Sequence, residues 1–75
     1  MRAKKTFLKL RALLTEYDMT FEELGHRIGR SYPHISNSFR GTRSWDLWEM
    51  YAIMDLFNIP YDQLNQYFPK DGIAA

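Results

Sequence analysis

Four arginines, Arg27, Arg30, Arg40 and Arg43, bracket a stretch of polar side chains, and no acidic residue lies between Arg27 and Arg43. A guanidinium is always charged and presents a fixed fork of donors that fits phosphate oxygens. The chemistry this spacing suits is non-covalent capture of a polyanion. The asymmetry extends along the chain. Residues 1–43 hold nine Lys and Arg against four Asp and Glu, whereas residues 44–75 hold Lys70 against five acids. The overall balance of +1 thus conceals a basic half and an acidic half, one fit to face a polyanion and one to turn away. Charge alone suits a solvated surface equally well. The same two readings stay open for the N-terminal cluster of Arg2, Lys4, Lys5, Lys9 and Arg11, as an arm along a nucleic-acid backbone or as ordinary surface charge.

Other chemistries find little support. His26 and His34 stand eight apart with no cysteine and no carboxylate cluster to complete a metal site. There is no nucleophile–base–orienter set, no phosphate-cradling loop and no paired acids in a recognisable setting. Glu22 and Glu23 are accounted for by favourable charge at a helix start. No enzyme activity, cofactor, metal or small-molecule ligand is expected. Seventy-five residues make one small domain, with a core expected over about 6–68 and short tails at either end. Such a chain buries only about 60% of its unfolded surface and has little room for a substrate cavity. With no cysteine, no apolar run approaching the roughly 20 residues of a membrane span and no signal-peptide pattern, a cytoplasmic protein is expected.

The elements that position these residues read as helices. Thr20 and Glu23 form a capping-box pattern with Met19 and Leu24 as its staple. Asp46 and Glu49 repeat it with Trp45 and Met50. Helices are therefore expected to begin near Phe21 and Leu47. Before them, Phe7, Leu10, Leu13, Leu14 and Tyr17 recur at helical spacing and predict a helix from about Thr6 to Tyr17. The second helix should stop at Gly29. A third should start after Ser31 with Pro33 in its first turn, where a missing N–H costs nothing, turn Ile35 and Phe39 inward, and end at Gly41. The fourth, from Leu47 to Phe57, should bury Leu47, Met50, Ile53, Met54 and Phe57. A short fifth follows Pro60, with Leu64 and Phe68 inside. No period-two alternation predicts a strand.

A helix, a glycine turn and a short polar helix flanked by arginine make the helix-turn-helix pattern, here over about residues 20–40. Gly25 supplies the tiny residue wanted where the helices cross, Gly29 the turn glycine, and Ile35 the branched anchor six positions later. On the run from Thr20 to Gly29, on Ile35 and Ser36, on Arg40 to Arg43, on Asp46 to Met50 and on Phe57 to Pro60, the sequence resembles the lambda-repressor/Cro-like helix-turn-helix family, the xenobiotic-response-element-type regulators, and most closely its short phage-borne members. Alanine is usual in that family at Gly25, and glutamine is frequent at Phe21, so the phosphate contact of that glutamine does not carry over.

The resemblance implies a five-helix all-α domain that binds double-stranded DNA as a homodimer and regulates transcription, as a phage or prophage repressor or Cro-like protein. It places Tyr32, Pro33, Ser36 and Asn37 toward bases in the major groove. Asparagine can pair bidentately with adenine, and tyrosine can meet a thymine methyl or a phosphate. Arg30, Arg40 and Arg43 would meet phosphates. Trp48, Tyr51, Tyr61 and Tyr67 are candidates for a dimer or partner face, since large exposed rings are costly to leave wet. Two alternatives stay open: a protein-binding module on the same fold that inhibits or adapts a host or phage protein, favoured by the modest net charge, Phe21 and the aromatics, and a DNA-binding antitoxin.

Overall fold

The computed structural model describes residues 6–70; Arg2, Lys4 and Lys5 of the N-terminal cluster lie outside them. The described residues form α1 (Leu8–Glu16), α2 (Phe21–Ile28), α3 (Tyr32–Arg40), α4 (Leu47–Leu56) and, after a single 3₁₀ turn at Tyr61–Gln63, α5 (Leu64–Tyr67), with no strand among them. The all-helical, five-helix architecture expected from the periodicity is the one observed.

Local chemistry sets the helix starts. The Thr20 hydroxyl accepts from the backbone N–H of Glu23 at 3.0 Å, but the Glu23 carboxylate turns to Arg27 at 3.1 Å. At α4 the capping box is complete in both directions between Asp46 and Glu49. Ser31 caps α3, with Pro33 in the first turn.

The first four helices stop by one device. Asp18, Gly29, Gly41 and Asn58 each adopt a left-handed backbone, with φ between 53° and 83°. The next residue donates its N–H back five positions, as in Met19 to Leu14, Arg30 to Gly25, Thr42 to Asn37 and Ile59 to Met54, at 2.7–3.1 Å. Six-to-one bonds of this kind satisfy carbonyls that a helix end leaves open.

The core gathers Leu10 and Leu14 of α1, Leu24 and Ile28 of α2, Ile35 and Phe39 of α3, and Ile53 and Met54 of α4, with Phe7, Trp45, Phe57 and Phe68 from the flanking segments. Phe39 is its hub. The rings of Phe7 and Trp45 meet it edge-on at 6.4 and 5.2 Å, and that of Phe21 stacks on it at 4.3 Å. Trp45 also meets Phe68 edge-on at 5.4 Å. Among the described residues the buried Trp45 indole N–H has no hydrogen-bond partner.

Three expectations need correction. Leu47 begins α4 but is 54% exposed, and Met50 is only half-buried. The inward position of the first turn is taken by Glu49, four residues before Ile53 on the same stripe. Tyr17, expected on the inner face of α1, is 55% exposed, though its ring edge leans on Phe57 at 4.9 Å. Arg11 is neither an arm nor loose surface charge. Its Nη2 donates to the Phe39 carbonyl at 3.0 Å and its Nε to the Thr6 carbonyl at 2.6 Å, with the guanidinium over the Phe39 ring. That placement caps the end of α3, and burial pulls its pKa down.

α2 and α3 pack against one another across the turn at 29–31, and the crossing leaves no room for a side chain at Gly25. A Cβ there would stand 2.4 Å from the Arg30 carbonyl oxygen and 3.2 Å from Ile35 Cγ1. Helix propensity alone would have Gly25→Ala stabilise the protein by about 1 kcal/mol. The packing predicts the opposite sign, because backbone must move to relieve the contact, at a cost of about 1–3 kcal/mol. A urea unfolding midpoint lower in Gly25→Ala than in the parent is the expected result; a higher one contradicts the packing.

Candidate nucleic-acid interface

With Ile35, Ser38 and Phe39 buried, α3 turns its other side out. Tyr32, Pro33 and Arg40 are exposed, and Ser36 and Asn37 are half-buried. Arg40 Nη2 donates to the Asn37 carboxamide oxygen, so these two present one joint polar edge. The Asn37 carbonyl meanwhile receives the Thr42 N–H and hydroxyl at 3.1 and 3.2 Å, which fixes the chain as it leaves α3. The base-reading candidates Tyr32, Pro33, Ser36 and Asn37 are thus brought together on one helix face, with Arg40 at its end.

Arg30 and Arg43 are placed differently. Both turn toward Glu49, whose side chain is fully buried. Its Oε2 accepts from Arg30 Nε at 2.7 Å and from Arg43 Nη2 at 3.1 Å, and it faces His34 Nε2 at 2.7 Å. Its Oε1 receives the Asp46 backbone N–H at 3.1 Å and lies 3.1 Å from Arg43 Nη1. The second carboxylate, Asp46, lies 3.8 Å from Arg30 and 3.9 Å from Arg43. Arg43 Nη1 also donates to the buried Ser38 hydroxyl, which itself donates to the His34 carbonyl at 3.0 Å. The result is a charge cluster joining the 29–31 turn, α3, the 41–46 loop and α4.

Burial alone would raise the Glu49 pKa. The Asp46 backbone N–H, then Arg30, Arg43 and His34, outweigh it and hold the group at about 2 against an ordinary 4.5. The sequence marked Glu49 only as a helix-start residue. The signal for more was its place four before Ile53 on the inner stripe, behind a stretch of arginines with no acid of its own.

The aromatic candidates divide. Trp48 is 57% exposed and lies under the Arg30 guanidinium at 4.8 Å. Tyr51 and Tyr61 pair at 4.6 Å, and the Tyr61 hydroxyl donates to Asp55 at 2.6 Å, which pushes the phenol pKa up. Tyr67 is half-buried and instead takes Lys9 over its ring at 4.9 Å. Among the described residues no three His, Cys, Asp or Glu groups converge as a metal site, and no helix is long and apolar enough to cross a membrane. No protein-family model matches the sequence, and a search of curated proteins finds no match.

The depressed Glu49 pKa has a stability consequence whose sign is fixed. A carboxylate with a folded-state pKa near 2 against an unfolded value near 4.5 contributes fully above about pH 4.5. That contribution, up to about 3 kcal/mol, fades as pH falls toward 2. In Glu49→Gln this share of the acid sensitivity should vanish, while stability at pH 7 drops. Urea titrations of parent and variant at pH 7, 4.5 and 2.5 measure it. Parallel pH dependences in the two proteins would rule out the cluster as the cause.

Proposed function

We propose that the chain is a sequence-specific double-stranded-DNA-binding transcriptional regulator, of the phage or prophage repressor or Cro-like kind, that reads the major groove with α3 and acts in the cytoplasm. One observation carries the reading. A short helix, held by Ile35 and Phe39, presents Tyr32, Pro33, Ser36, Asn37 and Arg40 on the side away from the core, within a stretch free of acidic residues from Arg27 to Arg43. An α-helix fits the major groove, and short polar side chains at its surface can reach base edges there. Asn37 is the base reader in this account and Arg40 the residue that meets phosphate.

The regulator works as a two-fold dimer. A single short helix contacts few base pairs, and pairing two half-sites multiplies both affinity and specificity. The exposed rings of Trp48, Tyr51 and Tyr61 lie on α4 and the turn after it, not on α3, and are the surface assigned to the two-fold contact. Regulation follows from occupancy, with bound protein excluding polymerase or a competing regulator. The same rings favour the second reading, a protein-binding module, if DNA is not the ligand.

Asn37→Ala should cost about 1–3 kcal/mol at one position of the bound site and relax preference there. Arg40→Ala should weaken binding to all duplexes alike and flatten the slope of log affinity against log salt by about one unit. Gel shifts with matched and mismatched duplexes at several salt concentrations measure both. If neither substitution changes affinity, preference or slope, α3 is not the reading element. Light scattering checks the dimer: with site DNA it should give the mass of two protomers plus one duplex, and a monomer when free together with one protomer per duplex when bound counts against it.

A further inference from the structure

The arginines around α3 are held in two unlike ways. Arg27 pairs with Glu23 on the surface, with both side chains close to half exposed. Such a pair contributes little, so a phosphate can replace Glu23 at small cost. Among the described residues Arg40 bonds the neutral Asn37 carboxamide and pairs with no carboxylate. Arg30 and Arg43 share a carboxylate that is fully buried. Withdrawing either guanidinium strips a desolvated anion of a partner, and that is strongly unfavourable. Counted with Asp46, the cluster sets two cations against two anions.

Resting on the DNA reading above, we propose that Glu49 is a positioning residue that keeps Arg30 and Arg43 off DNA phosphates, leaving phosphate contact to Arg40 and Arg27. Its second effect is on α3 itself. Glu49 reaches His34 directly and Ser38 through Arg43. These two positions lie one turn apart on the same side of the helix. Two ties on that side fix the rotation of α3 about its axis, and so which of its residues face outward. The arginines thus support the reading helix from behind. Arg30, lying over Trp48, ties the same cluster to the exposed surface of α4.

The test is a titration of the ¹⁵N-labelled protein with a short random-sequence duplex at low salt, following the arginine Nε–H signals. The expected result is that Arg40 and Arg27 shift while Arg30 and Arg43 stay in place. In Glu49→Gln the cluster loses its central charge. The Arg30 or Arg43 signal should then respond to duplex, and the slope of log affinity against log salt should steepen by about one to two units. Arg30 or Arg43 shifting in the parent as far as Arg40 overturns the proposal, as does an unchanged slope in folded Glu49→Gln. If that variant fails to fold, the parent titration decides alone. A duplex that moves no α3 amide and no arginine signal sinks the DNA reading itself. α3 amides that move together with Arg30 and Arg43 sink only the role given to Glu49.

Discussion

A fully buried carboxylate has to be matched by donors, and in this domain that requirement organises everything around α3. Glu49 draws Arg30 from the turn before α3, His34 from its first turn, Arg43 from the loop after it and the Asp46 N–H from the start of α4. A desolvated ion pair is weak evidence for stability in itself, since an apolar replacement of the same shape often does as well. What it supplies is geometry. An apolar residue at position 49 could pack against α3 in several rotations; a carboxylate with this many directional partners accepts one. The cluster sits beside the hydrophobic core and takes the place on the inner stripe of α4 that Leu47 was expected to share.

The second constraint is steric. The chain turns back so tightly after α2 that the Arg30 carbonyl comes within 2.4 Å of where a Gly25 Cβ would be. The turn places the Arg30 backbone against α2 and its side chain against Glu49, so one residue belongs to both constraints. Gly29 makes the turn possible by adopting φ 78°, a conformation with no Cβ penalty only for glycine. Close helix approach and charge matching together leave α3 with its polar side outward and its arginines on both flanks.

Much of this was legible in the residues. Capping patterns at Thr20 and Asp46 located two helix starts, and Gly29 and Gly41 two ends, because caps are local chemistry written in adjacent positions. With Ile35 and Phe39 facing inward, Tyr32, His34, Ser36 and Asn37 were expected on or near the exposed side, and the resemblance added Pro33; His34 instead turns back to Glu49 at 2.7 Å. The roles of Arg11, Arg30 and Arg43 were not legible. Arg11 depends on the distant Phe39 carbonyl and Arg30 on the distant Glu49 carboxylate; Arg43 is only six residues from Glu49, and its role depends on that carboxylate turning inward. Arginines that bind phosphate and arginines that neutralise a buried acid look alike until that partner is placed. Asp18 and Asn58 ended helices without a glycine, which asparagine and aspartate tolerate better than most residues, so those two ends carried a weaker signal.

The charge asymmetry of the chain takes on a sharper form in the fold. Its acid-free stretch is not uniformly available: Arg30 and Arg43 turn inward to Glu49, Arg27 pairs with Glu23 on the surface of α2, and Arg40 lies beside Asn37 on α3. A modest net charge is then compatible with the proposed DNA-binding face, because the charge local to α3 matters there more than the total. The central claim is that this face discriminates among DNA sequences. The most direct measurement is selection of bound duplexes from a random library at fixed, stated salt. The account predicts enrichment of a short site with two-fold symmetry. Recovery of duplexes with no common site, or of none at all, would contradict it.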